Sequence, residues 1–208
     1  MFMRFSRFLT VYLLCFVIAS LYSQMTPSAP IKNFRLPRFG DNGYTQWMLL
    51  GEQGIYDRDE QLSVQEMAMR IYSGDQRMAL ELSMDSPQGT LLLQENRGRS
   101  ESPITIVGAN FKISGIGWEW SGDTKEIIVK QDAVVKFTQG IAGAFGDIGE
   151  TNTDGDLSDT EIHSDHLILR TTVEEYYFEF TGSVHAVSDQ MDLKSESLIA
   201  LADAPVGR

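Results

Sequence analysis

Cysteine is nearly absent from this 208-residue chain. The single one, Cys15, is embedded in an apolar N-terminal run, so no disulfide framework can staple the part that folds in water, and a chain of this length can bury a core without one. Leu13 and Leu14 stand before it where a lipoprotein signal needs small residues, which argues against acylation. Basic residues are also scarce, with 17 Lys and Arg against 29 Asp and Glu for a formal charge of −12. Nucleic-acid binding needs the opposite balance, because its affinity comes from cations that neutralise phosphates. Only three histidines occur, and neither a Gly-x-Ser-x-Gly elbow nor a reactive cysteine supplies a nucleophile for them. The glycines of GANFKISGIG (108–117) have neither the spacing nor the following helix of a dinucleotide loop. Carboxylates are so numerous that no single pair stands out as a glycosidase site. No catalytic residue, cofactor or metal is assigned.

Proline is rare as well, at 6 residues, whereas 18 glycines suit many tight turns between short strands. The acidity is uneven. Residues 148–208 hold 3 Lys and Arg against 13 Asp and Glu, while residues 24–147 hold 12 against 16. An acidic solvated surface that keeps the protein soluble accounts for this.

Arg4 and Arg7 precede the charge-free run FLTVYLLCFVIASLY (8–22), the pattern of a secretory signal or signal anchor in residues 1–23. As a helix the run spans about 22 Å, short of the roughly 30 Å hydrocarbon core, which favours cleavage. Leu21 is bulky for a cleavage site, which favours an uncleaved anchor, and both readings stay open. Either way the positive flank stays in the cytoplasm and the remainder is exported.

Residues 24–33 read as a tether. Beyond it the chain alternates with period 2, as half-buried strands do. Met78, Leu80, Leu82 and Met84 alternate with Ala79, Glu81, Ser83 and Asp85, which predicts one apolar strand face; Met67, Met69 and Ile71, Phe111 and Ile113, and Tyr176, Phe178 and Phe180 repeat the pattern. Turn signals punctuate the runs at Asp41-Asn42-Gly43, Ser73-Gly74-Asp75, Ser86-Pro87-Gln88-Gly89, Asn96-Arg97-Gly98 and Ser121-Gly122-Asp123. Only residues 60–72, with Leu62, Met67, Ala68 and Met69, compete as a helix. The fold class is therefore all-β, with many short antiparallel strands in a jelly roll or stacked sheets behind one N-terminal helix. The body runs over 34–147, an acidic glycine-rich loop closes at 148–159, and 160–203 is too short to fold alone and continues the same sheets.

Three constellations invite chemistry. Asn152, Asp154 and Asp156 have the spacing that opens an EF-hand, but Leu157 stands where the turn glycine belongs and His163 where the final Glu belongs. A solvated loop fits better, and weak calcium binding by Asp154, Asp156 and Asp159 stays open. His163 and His166, three apart on a strand, point to opposite faces and do not converge on a metal. Trp118 and Trp120 share a strand face, as core or rim packing or as a sugar platform.

Three stretches resemble the periplasmic lipopolysaccharide-transport proteins of the LptC, LptA and OstA-like group. YTQWMLLGEQGIYDRDEQLSVQEMAMRIY (44–72) is similar to the family's opening strands around a Tyr-Asp turn; ITIVGANFKISGIGWEWSGDTKEIIVKQDAVVKF (104–137) is similar to its run of short strands; IHSDHLILRTTVEEYYFEFTGSVHAVSDQMDLKSESLIAL (162–201) is similar to an OstA-like repeat. Gly182-Ser183-Val184 departs from the family's common Gly-Asn-Val, and the loop over 140–159 is unusually long and acidic. An anchored N-terminus favours LptC, and the third stretch favours LptA.

The resemblance implies a non-catalytic component of lipopolysaccharide export in the periplasm, attached to the inner membrane by residues 8–22 if these are uncleaved. Its partners would be lipopolysaccharide, an inner-membrane ABC transporter and bridge proteins joined through edge strands, with 44–50 and 197–202 as candidate edges. The groove candidates are Met78, Leu80, Leu82, Met84, Phe111, Ile113, Tyr176, Phe178 and Phe180, each of which could equally be core. The rival readings are a structural β-protein of the envelope and a jelly-roll glycan hydrolase.

Overall fold

The computed structural model describes residues 30–56, 61–138, 159–172, 174–189 and 191–204. The signal or anchor over 1–23 and the calcium candidates Asn152, Asp154 and Asp156 lie outside them. All elements among the described residues are strands: β1 (Ile31–Phe39), β2 (Thr45–Tyr56), β3 (Gln61–Tyr72), β4 (Leu80–Leu92), β5 (Arg97–Val107), β6 (Phe111–Ser121), β7 (Glu126–Phe137), β8 (Thr160–Ser164), β9 (His166–Thr171), β10 (Glu175–Ser188) and β11 (Met191–Asp203). The helical alternative for 60–72 is thereby set aside, because the β-branched and long apolar side chains of β3 pair across a ladder with β2 and β4.

The strands form one antiparallel meander in sequence order, with β8 and β9 together occupying the place between β7 and β10. β1 begins at Ile31, inside the stretch read as a tether. β2 is therefore paired on both sides, and residues 44–50 are not an edge. The edges are β1 and β11, the latter containing the expected 197–202.

Several strands change step near their middle. On β3 the buried residues are Leu62 and Val64, then Met67 and Met69, with Glu66 at φ 49° in between. β4 buries Leu82, Met84 and Ser86, then Gly89 and Leu91; β6 buries Phe111 and Ile113, then Trp118 and Trp120 after Gly117. Asp165 separates β8 from β9, and β10 shifts register at Gly182-Ser183, which have φ 76° and 48°. The Ser86-Pro87-Gln88-Gly89 signal is this step on β4 and not a chain reversal. Pro87 sits where the β4–β5 register breaks, so the ladder does not need its missing N–H.

The steps align from strand to strand into a seam, and the sheet folds over along it. Inward faces of the two halves meet. Trp47 on β2 and Trp120 on β6 have ring centroids 5.8 Å apart at right angles, whereas four strand spacings in a flat sheet would be about 19 Å. Phe111 on β6 lies 4.9 Å from Phe178 on β10, again without direct pairing of their strands. We call the half containing 45–50, 67–72, 80–86, 111–114 and 133–137 the first limb, and the half containing 61–64, 88–92, 97–100, 118–121, 126–129 and 175–180 the second.

Gly182 tests the seam. Its left-handed φ of 76° is costly for an L-residue, and an added Cβ would stand 2.4 Å from Asp165 Oδ2. Gly182→Ala is expected to destabilise by about 2 kcal/mol, read by chemical denaturation, whereas Ser183→Asn, which suits a left-handed residue better, is expected to stabilise by a few tenths. Equal tolerance of alanine at both positions would contradict a seam built on left-handed residues.

Candidate functional site

The limbs enclose an apolar wedge. Its centre is an aromatic cluster in which Phe178 meets Phe111 at 4.9 Å and Phe137 at 5.1 Å edge-on and stacks on Phe180 at 6.3 Å, while Phe111 meets Tyr176 at 5.0 Å. Such pairs add about 0.5–1.5 kcal/mol each beyond their buried area. Seven of the nine groove candidates, Leu82, Met84, Phe111, Ile113, Tyr176, Phe178 and Phe180, lie buried here. Met78 and Leu80 do not. Met78 occupies the β3–β4 turn at φ 47°, outside any strand, and Leu80 is the first residue of β4, 51% exposed beyond the wedge. Trp118 and Trp120 are buried between the limbs, which excludes a sugar platform at either.

Toward the limb ends, three side-chain hydrogen bonds clasp the wedge. Trp47 donates from Nε1 to Asn96 Oδ1 at 2.9 Å, Arg38 donates to the Leu93 carbonyl at 3.1 Å, and Tyr176 donates to the Glu81 carbonyl at 3.4 Å. Asn96 is the central member. It has φ 52°, donates from Nδ2 to Asp123 at 2.7 Å, and accepts the Gly122 N–H at its own carbonyl at 2.9 Å, tying the β4–β5 turn to the β6–β7 turn. The turn signal at Asn96-Arg97-Gly98 marked this residue as a left-handed turn former, but its buried bond to Trp47 had no sequence signal.

Beside the clasp opens a cleft of about 210 Å³, with Trp47, Ile71, Leu82, Trp120 and Ile127 as apolar walls and Glu81 and Lys125 among its polar groups. Burial pushes the Glu81 carboxyl above its usual range; Lys125 offsets part of this, Asp75 adds to it and Arg77 opposes it. Burial, with a further contribution from Glu81, pushes the Tyr176 phenol up to about 12. Because the folded value of Glu81 lies above the unfolded one, ionising it costs stability as pH rises past the unfolded value, and the cost is absent in more acid solution. Glu81→Gln is therefore expected to raise the melting temperature at neutral pH and leave it unchanged at about pH 3, below the ordinary glutamate value. An equal shift at both pH values would assign the effect to something other than ionisation.

No family model and no curated protein matches this chain.

The remaining candidates lie on the outer surface. The step at Asp165 turns both His163 and His166 outward, so strand alternation does not separate them as expected. His163 pairs with Glu161 and His185 with Asp192, each at 2.8 Å, and among the described residues no cluster of ligating side chains could hold a metal ion. The two sheet edges differ in charge. β1 carries Lys32, Arg35 and Arg38 with no acid, whereas β11 carries Asp192, Glu196 and Asp203 against Lys194 alone. Pro37 interrupts β1, while 197–202 on β11 is a run without charge, proline or glycine.

Proposed function

We propose that this protein is a non-catalytic lipid carrier of the cell envelope, with the folded sheet a β-jelly roll whose wedge accepts the acyl chains of lipopolysaccharide. It receives them in the periplasm from an inner-membrane ABC transporter and passes them toward the outer membrane. The observation that carries the reading is an interior lined by apolar and aromatic side chains from both limbs, held toward its mouth by few polar contacts. Its cleft of about 210 Å³ is smaller than the roughly 300–1,000 Å³ of sites that hold drug-sized ligands. Entry therefore requires the limbs to part. Those three hydrogen bonds and a fourth between the limbs, from Trp118 Nε1 to Ser86 Oγ at 3.2 Å, at a net 0.5–1.5 kcal/mol each, oppose this by about 4 kcal/mol, which about five acyl methylenes at ~0.8 kcal/mol each offset while covering the separated apolar walls. Met84, Met67 and Met69 suit such repacking because their side chains adapt to changing shape.

Bridge assembly uses the two edges. The basic β1 of one molecule and the acidic β11 of another are complementary in charge, and backbone hydrogen bonding across them extends the sheet. The tight aromatic packing favours a second reading, in which the interior is only a core and the edges alone work, as in a structural envelope protein.

The tryptophans separate the two. Trp47 and Trp120 line the cleft and Trp118 is buried nearby, so lipopolysaccharide bound in the wedge is expected to give a saturable, one-to-one change in tryptophan emission. The same polysaccharide stripped of its acyl chains is expected to give none. An equal response to both, or none to either, would sink the carrier reading.

A further inference from the structure

We infer that the outer face of β2–β4 carries a binding row for a neutral glycan. Gln53 on β2 stands directly opposite Gln65 on β3, and Gln65 directly opposite Gln88 on β4. All three are exposed, and the row spans two strand spacings, about 10 Å. Ser63 and Thr90 form the adjacent row, again directly opposite each other. Together these residues line a groove of about 360 Å³ on the side of the sheet away from the wedge, so the inference is independent of the carrier reading.

The chemistry of the row selects the ligand. Each glutamine offers a carbonyl acceptor and two N–H donors, and each hydroxyl offers both, which matches sugar hydroxyls that donate and accept in turn. All three side chains are exposed, and among the described residues none of the three amides is joined by a hydrogen bond to another protein group. The charged groups of the groove, Arg99 and Glu101, oppose each other in sign, and Glu101 is engaged by Lys130 at 2.8 Å. A single arginine beside an acid is a poor anion site. An extended peptide would need a free strand edge, but β3 and β4 are paired on both sides, and Ile55 is the one exposed large apolar side chain in the groove. A neutral polyhydroxylated chain is the occupant that remains.

The test follows the glutamine side-chain NH₂ resonances of the full chain by NMR during titration with neutral linear glucose, galactose and N-acetylglucosamine oligosaccharides. At least one series is expected to give saturable shifts at Gln53, Gln65 and Gln88 and none at Gln131, an exposed glutamine on β7. Gln65→Ala is expected to weaken that binding about tenfold, as loss of one or two hydrogen bonds would, with Gln131→Ala unchanged. Both positions are solvent-exposed, so unchanged melting temperatures confirm intact folding. Absence of saturable shifts with all three series at millimolar concentration, or equal affinity of Gln65→Ala and the parent protein, overturns the inference.

Discussion

Asn96→Ala is expected to lower stability by about 2–4 kcal/mol, a larger loss than a turn residue would ordinarily cause. Three consequences combine. The buried Trp47 N–H loses its acceptor, Asp123 loses a donor at 2.7 Å, and alanine inherits a left-handed φ of 52°. Asn96→Gly isolates the last of these, since glycine adopts that φ freely but restores neither bond. The glycine variant should therefore recover about 1 kcal/mol of the alanine loss and no more. Thermal unfolding of the three proteins reads this order directly. Near-parental stability of Asn96→Ala would mean that the Trp47–Asn96 bond contributes little to holding the limbs together.

The second large effect is at Phe178, which is wholly buried and touches Phe111, Phe137 and Phe180. Phe178→Ala is expected to cost about 3–5 kcal/mol, the range for a large aromatic deleted from a packed core. Phe178→Leu keeps most of the volume and should cost about 1–2 kcal/mol. A double-mutant cycle with Phe111→Leu should return a coupling of about 0.5–1.5 kcal/mol, because the edge-on geometry is lost once and not twice. Zero coupling would contradict the meeting of β6 and β10 across the fold.

Alternation read parts of β3, β4, β6 and β10 correctly because each limb buries one face. Phe111 and Ile113, and Tyr176, Phe178 and Phe180, are buried as their spacing predicts. The seam escaped detection. A step of one residue flips every later side chain, and its signal, a left-handed residue such as Glu66 on β3 or Gly117 on β6, has no fixed residue type. The same blindness placed His163 and His166 on opposite faces, whereas the β4 face was extended back to Met78 because that residue still belongs to the β3–β4 turn. It also turned Ser86-Pro87-Gln88-Gly89 into a chain reversal, since proline and glycine mark a register break as readily as a turn. β1 was missed because an edge strand carries little buried surface: none of Ile31–Phe39 is fully buried, and Pro37 within it argues locally against a strand. That omission displaced the expected edge onto β2.

The candidate site was half legible. Apolar candidates could be named from spacing, but whether they line a wedge that opens or a core that stays shut depends on contacts between strands distant in sequence, such as Trp47 with Asn96 and Tyr176 with Glu81. No local pattern encodes those.

The most direct measurement places a photocrosslinking side chain at Phe111 or Phe178, inside the wedge, and at Leu80, 51% exposed outside it, in the full chain in cells. The carrier account predicts crosslinks to lipopolysaccharide from both interior positions and none from Leu80. Crosslinks from Leu80 alone, or from no position in a folded protein, would contradict it.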